Sequence, residues 1–134
     1  MKVFITRIIP DAGLQLMRDA GLEISQWSEK RDLTPQELID HCKPVDALLS
    51  AGGNRIDKTF LTACAHLKVI SLHSVGYDRV DIPLATALKI PIGNTPGVLT
   101  NATADIAFLL ILAVSRKAFY LHNSIISGRW NFFE

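Results

Sequence analysis

Short runs of β-branched and large apolar residues alternate along this chain with segments of helical spacing. Val3-Phe-Ile-Thr6 predicts a first strand. A helix follows from Pro10, with Leu14 and Met17 on one face and Gly21 where a helix-ending glycine belongs. Residues 22–27 alternate Leu22, Ile24 and Gln26 against Glu23, Ser25 and Trp27, which predicts a second strand at the sheet edge. Thr34-Pro35-Gln36-Glu37 combines an N-cap, a proline at the first helical position and a capping-box glutamate, and starts a helix that runs to about His41. Val45-Asp-Ala-Leu-Leu49 reads as a buried third strand, closed by the turn Ser50-Ala-Gly-Gly-Asn54. Asp57 caps a helix over residues 58–66, and residues 67–72 form a fourth strand. A short helix over residues 82–88 and a short strand, Ile90-Pro-Ile92, complete the alternation. Strands separated by helices, with right-handed crossovers, predict an α/β domain. It is a flavodoxin-like, doubly wound, mostly parallel sheet of five strands.

Thr100 or Asn101 is expected to cap a long helix that reaches Ser127 before Gly128 stops it. Residues 106–114 are apolar on nearly every side, so this helix packs on a partner as well as on its own domain. A homodimer through helix 101–127 is the expectation. The division expected is a substrate-type half over residues 1–100 and an interdomain or dimerisation helix with its tail over residues 101–134. The tail carries Trp130, Phe132 and Phe133 with no strand to receive them, which reads as an unfinished packing surface and an interrupted chain.

Composition narrows the function classes. With 134 residues, 49% hydrophobic and 20% charged, the chain can bury a proper core. A net charge of +1 without a basic block gives nucleic-acid binding little electrostatic support. The run at residues 106–114 is less than half of the roughly 20 apolar residues a membrane span needs. Cys42 and Cys64 have neither disulfide-framework nor zinc spacing, which suggests a reducing, cytoplasmic setting. His41, His66 and His122 have no metal-type spacing either.

Three stretches then carry a pattern: Ser74-Val-Gly-Tyr-Asp78, Asn94-Thr-Pro-Gly-Val-Leu-Thr100, and Ala102-Thr-Ala-Asp105 with Gly128-Arg-Trp130. Together with Lys2-Val-Phe-Ile-Thr-Arg7 and Val45-Asp-Ala-Leu-Leu49, they resemble the D-isomer-specific 2-hydroxyacid dehydrogenases, most of all the glyoxylate/hydroxypyruvate reductase branch. The resemblance implies a two-domain oxidoreductase using NAD or NADP, in which a flavodoxin-like substrate domain precedes a Rossmann cofactor domain. This chain covers the first part only and contains no Gly-x-Gly-x-x-Gly turn. The family's catalytic Arg, Glu and His lie further along, so no catalytic residue is assigned. The chain alone is expected to be inactive and to bind neither cofactor tightly.

Ser74-Val75-Gly76 is the leading site candidate. A glycine turn at a strand end lets backbone N–H groups approach a small anion, and the resemblance implies that Val75 and Gly76 bind a substrate carboxylate this way. The competing reading is that Gly76 only permits a turn. Gly52 and Gly53 end the neighbouring strand where the family often has a bulkier residue, which suggests either a loose wall of the same cleft or a plain loop. Thr103, in the first turn of the long helix, matches a family threonine at the nicotinamide end of the cofactor; a hydroxyl bonding locally explains it equally well. His73 reads as a structural side chain, and turn bonding and capping are sufficient roles for Asp78 and Asp81. The partner class implied is a small 2-keto or 2-hydroxy carboxylate. A stand-alone, non-catalytic binding or dimerisation module is the alternative.

Overall fold

The strand-forming run at the start of the chain becomes β1 (Lys2–Ile5) in the computed structural model, which describes residues 1–129. It is followed by α1 (Asp11–Asp19), β2 (Glu23–Gln26), α2 (Pro35–Cys42), β3 (Ala47–Ser50) and α3 (Lys58–Ala63). Then come β4 (Val69–Leu72), α4 (Ile82–Ala87), β5 (Ile92–Gly93), α5 (Thr100–Ser115) and α6 (Ala118–Ile126). The five strands form one sheet in the order β2-β1-β3-β4-β5, with every pairing parallel. This is the flavodoxin-like doubly wound order, and its ligand crevice lies beyond the carboxyl ends of the strands.

The local signals act as the sequence leads one to expect. Gly21 adopts φ +73° and closes α1, with its N–H bonded to Arg18 O and that of Leu22 to Met17 O. Thr34 Oγ1 accepts from Glu37 N–H at 3.3 Å, and the Glu37 carboxylate accepts from Thr34 N–H at 2.8 Å, a complete capping box for α2. Asp57 and Asp81 cap α3 and α4 by accepting from Phe60 N–H and Leu84 N–H.

Two cores sit on opposite faces of the sheet. Phe4, Leu48, Ile70 and Leu72 pack under α2, α3 and α4, together with Leu38, Phe60, Leu61 and the two buried cysteines. Burial raises both thiols above their ordinary range, which disfavours the thiolate form. Val3, Ile5 and Ala47 face α1 through Leu14, with Met17, Ile24, Leu49 and Val69 half-buried around them. His41 stacks on Phe4 with ring centroids 4.8 Å apart, and the edge of Trp27 meets it at 5.4 Å. The His66 ring donates to the Cys42 or Val45 carbonyl. Both imidazoles are therefore engaged in packing and helix-end bonding.

Backbone contacts divide the chain into one unit, Met1–Pro96, and a second that begins at Gly97. Within the second, the long helix starts at Thr100, but it does not reach Ser127. It ends at Ser115, Lys117 turns left-handed with φ +50°, and α6 follows. Neither Thr100 nor Asn101 caps it: the cap position is Leu99, without a side-chain bond. Gly128, at φ +68°, stops α6 in the same manner as Gly21 stops α1, with its N–H bonded to Ile125 O and that of Arg129 to Ser124 O. The large apolar side chains of α5 and α6, among them Phe108, Ile111, Val114, Phe119 and Ile126, are exposed. No helix among the described residues is long and apolar enough to cross a membrane. The Trp130, Phe132 and Phe133 cluster lies outside the described residues.

Candidate functional site

The carboxyl ends of β3 and β4 are adjacent because Ser50 pairs with Leu72, and His73 N–H continues the ladder to Ser50 O at 2.9 Å. The chain then leaves β4 through Ser74, Val75 and Gly76, and every carbonyl of that turn is occupied. Ser74 O accepts from Thr95 N–H at 3.0 Å, Val75 O from the Asn94 amide at 2.8 Å, and Gly76 O from the Ser74 hydroxyl at 2.8 Å. Among the described residues, nothing accepts from the N–H groups of Val75 and Gly76. A turn whose carbonyls are tied back to the protein, while successive N–H groups stay free, is a concavity for an anion.

Beside this turn lies a cavity of about 270 Å³, bordered by Ser50, Gly52, Asn54, Ser74, Gly76, Tyr77, Asp78 and Arg79 among others. Of the residues singled out in the sequence, the structure thus brings Ser74, Gly76 and Gly52 to one cavity. Val75 is half-buried next to it. Gly53 is tied down separately: its carbonyl accepts from the Arg79 guanidinium. Thr103 belongs to the second unit, and its N–H is already bonded to Leu99 O at 2.9 Å, so only its hydroxyl is free of the helix ladder. The side chain of His73 is exposed and makes no hydrogen bond among the described residues, and no group of His, Cys, Asp and Glu comes together there as a metal would need.

The loose wall suggested by two consecutive glycines is filled from elsewhere. Gly52 has φ +111°, and a Cβ on it would collide with the Arg7 guanidinium; a Cβ on Gly53 would lie 2.7 Å from Asp32 Oδ2 and 2.8 Å from Arg79 Nη1. Arg7 is ion-paired with Asp32. The Arg7 guanidinium holds the Asp32 carboxyl below its usual range against the opposing effect of burial, with lesser help from the Gly53 backbone and Arg79. Thr6 supports the same wall from within. Its buried hydroxyl donates to Ala51 O at 2.7 Å and accepts from Ala51 N–H at 2.8 Å. Sequence reasoning missed Arg7, Asp32, Asn54 and Arg79, which carry no local motif and meet only through the fold.

A larger open trough of about 710 Å³ runs along α4 and β5, lined by Ile82, Ile90 and Ile92 with Lys89 and Asn94. Most of its lining side chains are apolar. Size alone does not make it the better site for a small polar ligand.

The comparisons with known proteins agree with this fold. Residues 3–127 match the model of the family described as D-isomer specific 2-hydroxyacid dehydrogenase, catalytic domain. The chain is 39% identical over 129 residues to a glyoxylate reductase of Thermococcus onnurineus and 40% identical to that of Pyrococcus furiosus, covering 96% of this chain in each case. It spans 38% of the length of these relatives. Among solved structures, the TT0316 protein of Thermus thermophilus superposes with a TM-score of 0.90 at 34% identity, over all of this chain and 43% of its own.

Proposed function

The chain belongs to the D-isomer specific 2-hydroxyacid dehydrogenase family, and we propose that it serves as the substrate-binding portion of an NAD(P)-dependent enzyme that reduces a small 2-keto acid such as glyoxylate or hydroxypyruvate. The observation that carries this reading is the pair of unpartnered N–H groups at Val75 and Gly76, at the carboxyl end of β4 and beside Gly52. They are the donors a substrate carboxylate takes, with the Ser74 hydroxyl bracing the turn through Gly76 O. The names of the relatives, glyoxylate reductases at about 40% identity, support the choice of substrate class.

Hydride transfer also needs a dinucleotide and a proton donor. A nicotinamide dinucleotide is held by a glycine-rich turn and a helix N-terminus, and the residues of this chain do not fit it. The glycine fingerprint is missing, and Thr103 offers at most its hydroxyl, assigned to the nicotinamide end. No hydride-transfer step follows from these residues. Acting alone, the chain is expected to give no NADH or NADPH oxidation with glyoxylate or hydroxypyruvate. Turnover above background would overturn its reading as a substrate-binding portion.

The exposed apolar residues of α5 and α6 favour a second element of the proposal, a homodimer built on residues 101–127. It also keeps open the alternative of a stand-alone binding and dimerisation module. A sizing experiment at micromolar concentration should read twice 14.8 kDa; a monodisperse monomer contradicts it. Absence of carboxylate binding at Gly76 would favour the alternative in its dimerisation form, because a chain that only dimerises has no use for that turn. A cytoplasmic location belongs to the same proposal.

A further inference from the structure

Besides the carboxylate turn, the strand-end cavity is bordered by polar and charged side chains. Gly52 borders the cavity, and the space its side chain would take is held by the Arg7 guanidinium. Arg79 also borders the cavity and spends one N–H on Gly53 O, which leaves it further donors. Two carboxylates match these two cations: Asp32, paired with Arg7 and within the field of Arg79, and Asp78, which borders the cavity itself. Asn54 borders it too, and its buried Oδ1 has no hydrogen-bond partner among the described residues.

We propose that Arg79, set in place by the Arg7–Asp32 pair over the two glycines, is a specificity-determining residue. It favours 2-keto and 2-hydroxy acids that carry a neutral hydroxyl on the carbon beyond the reacting one. The inference rests on the reading of this cavity as the keto-acid site. A hydroxyl accepts from the guanidinium and still has a proton to donate to a neighbouring oxygen. An alkyl tail would take water from the guanidinium and return no hydrogen bond. A second carboxylate would meet the Asp78 carboxylate at the border of the cavity, and the charge of Arg79 is already shared with Asp32 behind it.

The test uses the whole 134-residue chain and three stable ligands that differ only in the tail: D-glycerate with a hydroxymethyl group, D-lactate with a methyl group and D-malate with a carboxymethyl group. Binding is followed at the amides of Val75 and Gly76 by two-dimensional NMR. D-glycerate should bind about fivefold more tightly than D-lactate, the size of one net hydrogen bond, and more tightly than D-malate. Arg79→Met should reduce the first preference to within about twofold while D-lactate affinity holds, and Arg7→Met should do the same through loss of the brace. Dispersed spectra of both variants confirm folding, because both side chains are exposed. Equal affinity for D-glycerate and D-lactate, or a preference that survives Arg79→Met, overturns the inference and leaves the keto-acid site standing. Tighter binding of D-malate overturns it in favour of an anionic tail. No shift at Val75 or Gly76 with any ligand overturns both.

Discussion

Replacing Thr6 by valine keeps the shape of a fully buried side chain and removes one hydroxyl. That hydroxyl makes two bonds, to Ala51 O at 2.7 Å and from Ala51 N–H at 2.8 Å, with Thr6 1% and Ala51 3% exposed. Neither backbone group of Ala51 has another partner among the described residues. Each buried group left unpaired costs about 1–3 kcal/mol, and the added methyl returns roughly 0.8 kcal/mol. The net expectation is a loss of about 3 kcal/mol, a large share of the roughly 5–15 kcal/mol typical of a domain. At a urea slope of about 2 kcal/mol per molar, the unfolding midpoint should fall by roughly 1.5 M. Amide exchange at Ala51 should accelerate more than at Leu48, which the sheet ladder protects. Thr6→Ser keeps the hydroxyl and should cost about 1 kcal/mol or less. A Thr6→Val midpoint within about 0.3 M of the parent would refute the claim that this hydroxyl holds the wall of the cavity.

Other expectations follow from the same bonds. Thr34→Ala removes half of the α2 capping box and should cost about 1 kcal/mol in urea unfolding, with the loss confined to amides near Glu37. The Glu37 carboxyl is held far below its usual range, first by Arg31 and then by Thr34, and Arg7 lowers that of Asp32. Below the ordinary carboxylate range the unfolded chain therefore binds more protons than the folded one. Stability should hold at neutral pH and fall as acid is added below about pH 4.5. Glu37→Gln should flatten that acid limb, and an unchanged limb would contradict the assignment. Gly21→Ala meets no neighbour but must adopt φ +73°, and should cost about 1–2 kcal/mol through backbone strain alone. Gly76→Val should weaken glycolate binding at the turn by about tenfold or more without altering the urea midpoint by more than about 0.5 M.

Much of the fold was legible because its signals are local. Thr34, Pro35 and Glu37 act within one turn, Asp57 and Asp81 bond three residues ahead, and Gly21 and Gly128 adopt a conformation that glycine tolerates best. Those interactions need no tertiary information, and the crossover rule then orders the strands. The end of α5 was not legible. No glycine or proline marks it; Lys117 turns left-handed at the end of the polar triplet Ser115-Arg116-Lys117, whose residues are all compatible with a continuing helix. Its start was misplaced for the opposite reason, since Thr100 and Asn101 look like caps while Leu99 occupies the cap position. The site divides along the same line. Gly76 advertises a turn, but free N–H groups are a property of where Ser74, Asn94 and Thr95 meet. Arg7, Asp32 and Arg79 are scattered along the sequence, and only the order β2-β1-β3-β4 brings their loops over Gly52 and Gly53.

The most direct test of the central claim is a titration of the ¹⁵N-labelled chain with oxamate, a non-reacting mimic of a small 2-keto acid, read at every backbone amide. Saturable shifts centred on Val75 and Gly76, with smaller ones at Gly52 and none at Lys89 in the larger trough, are the result expected of a carboxylate held by the turn after β4. Shifts centred on the trough, or no saturable shift at Val75 and Gly76 up to tens of millimolar oxamate, would contradict it.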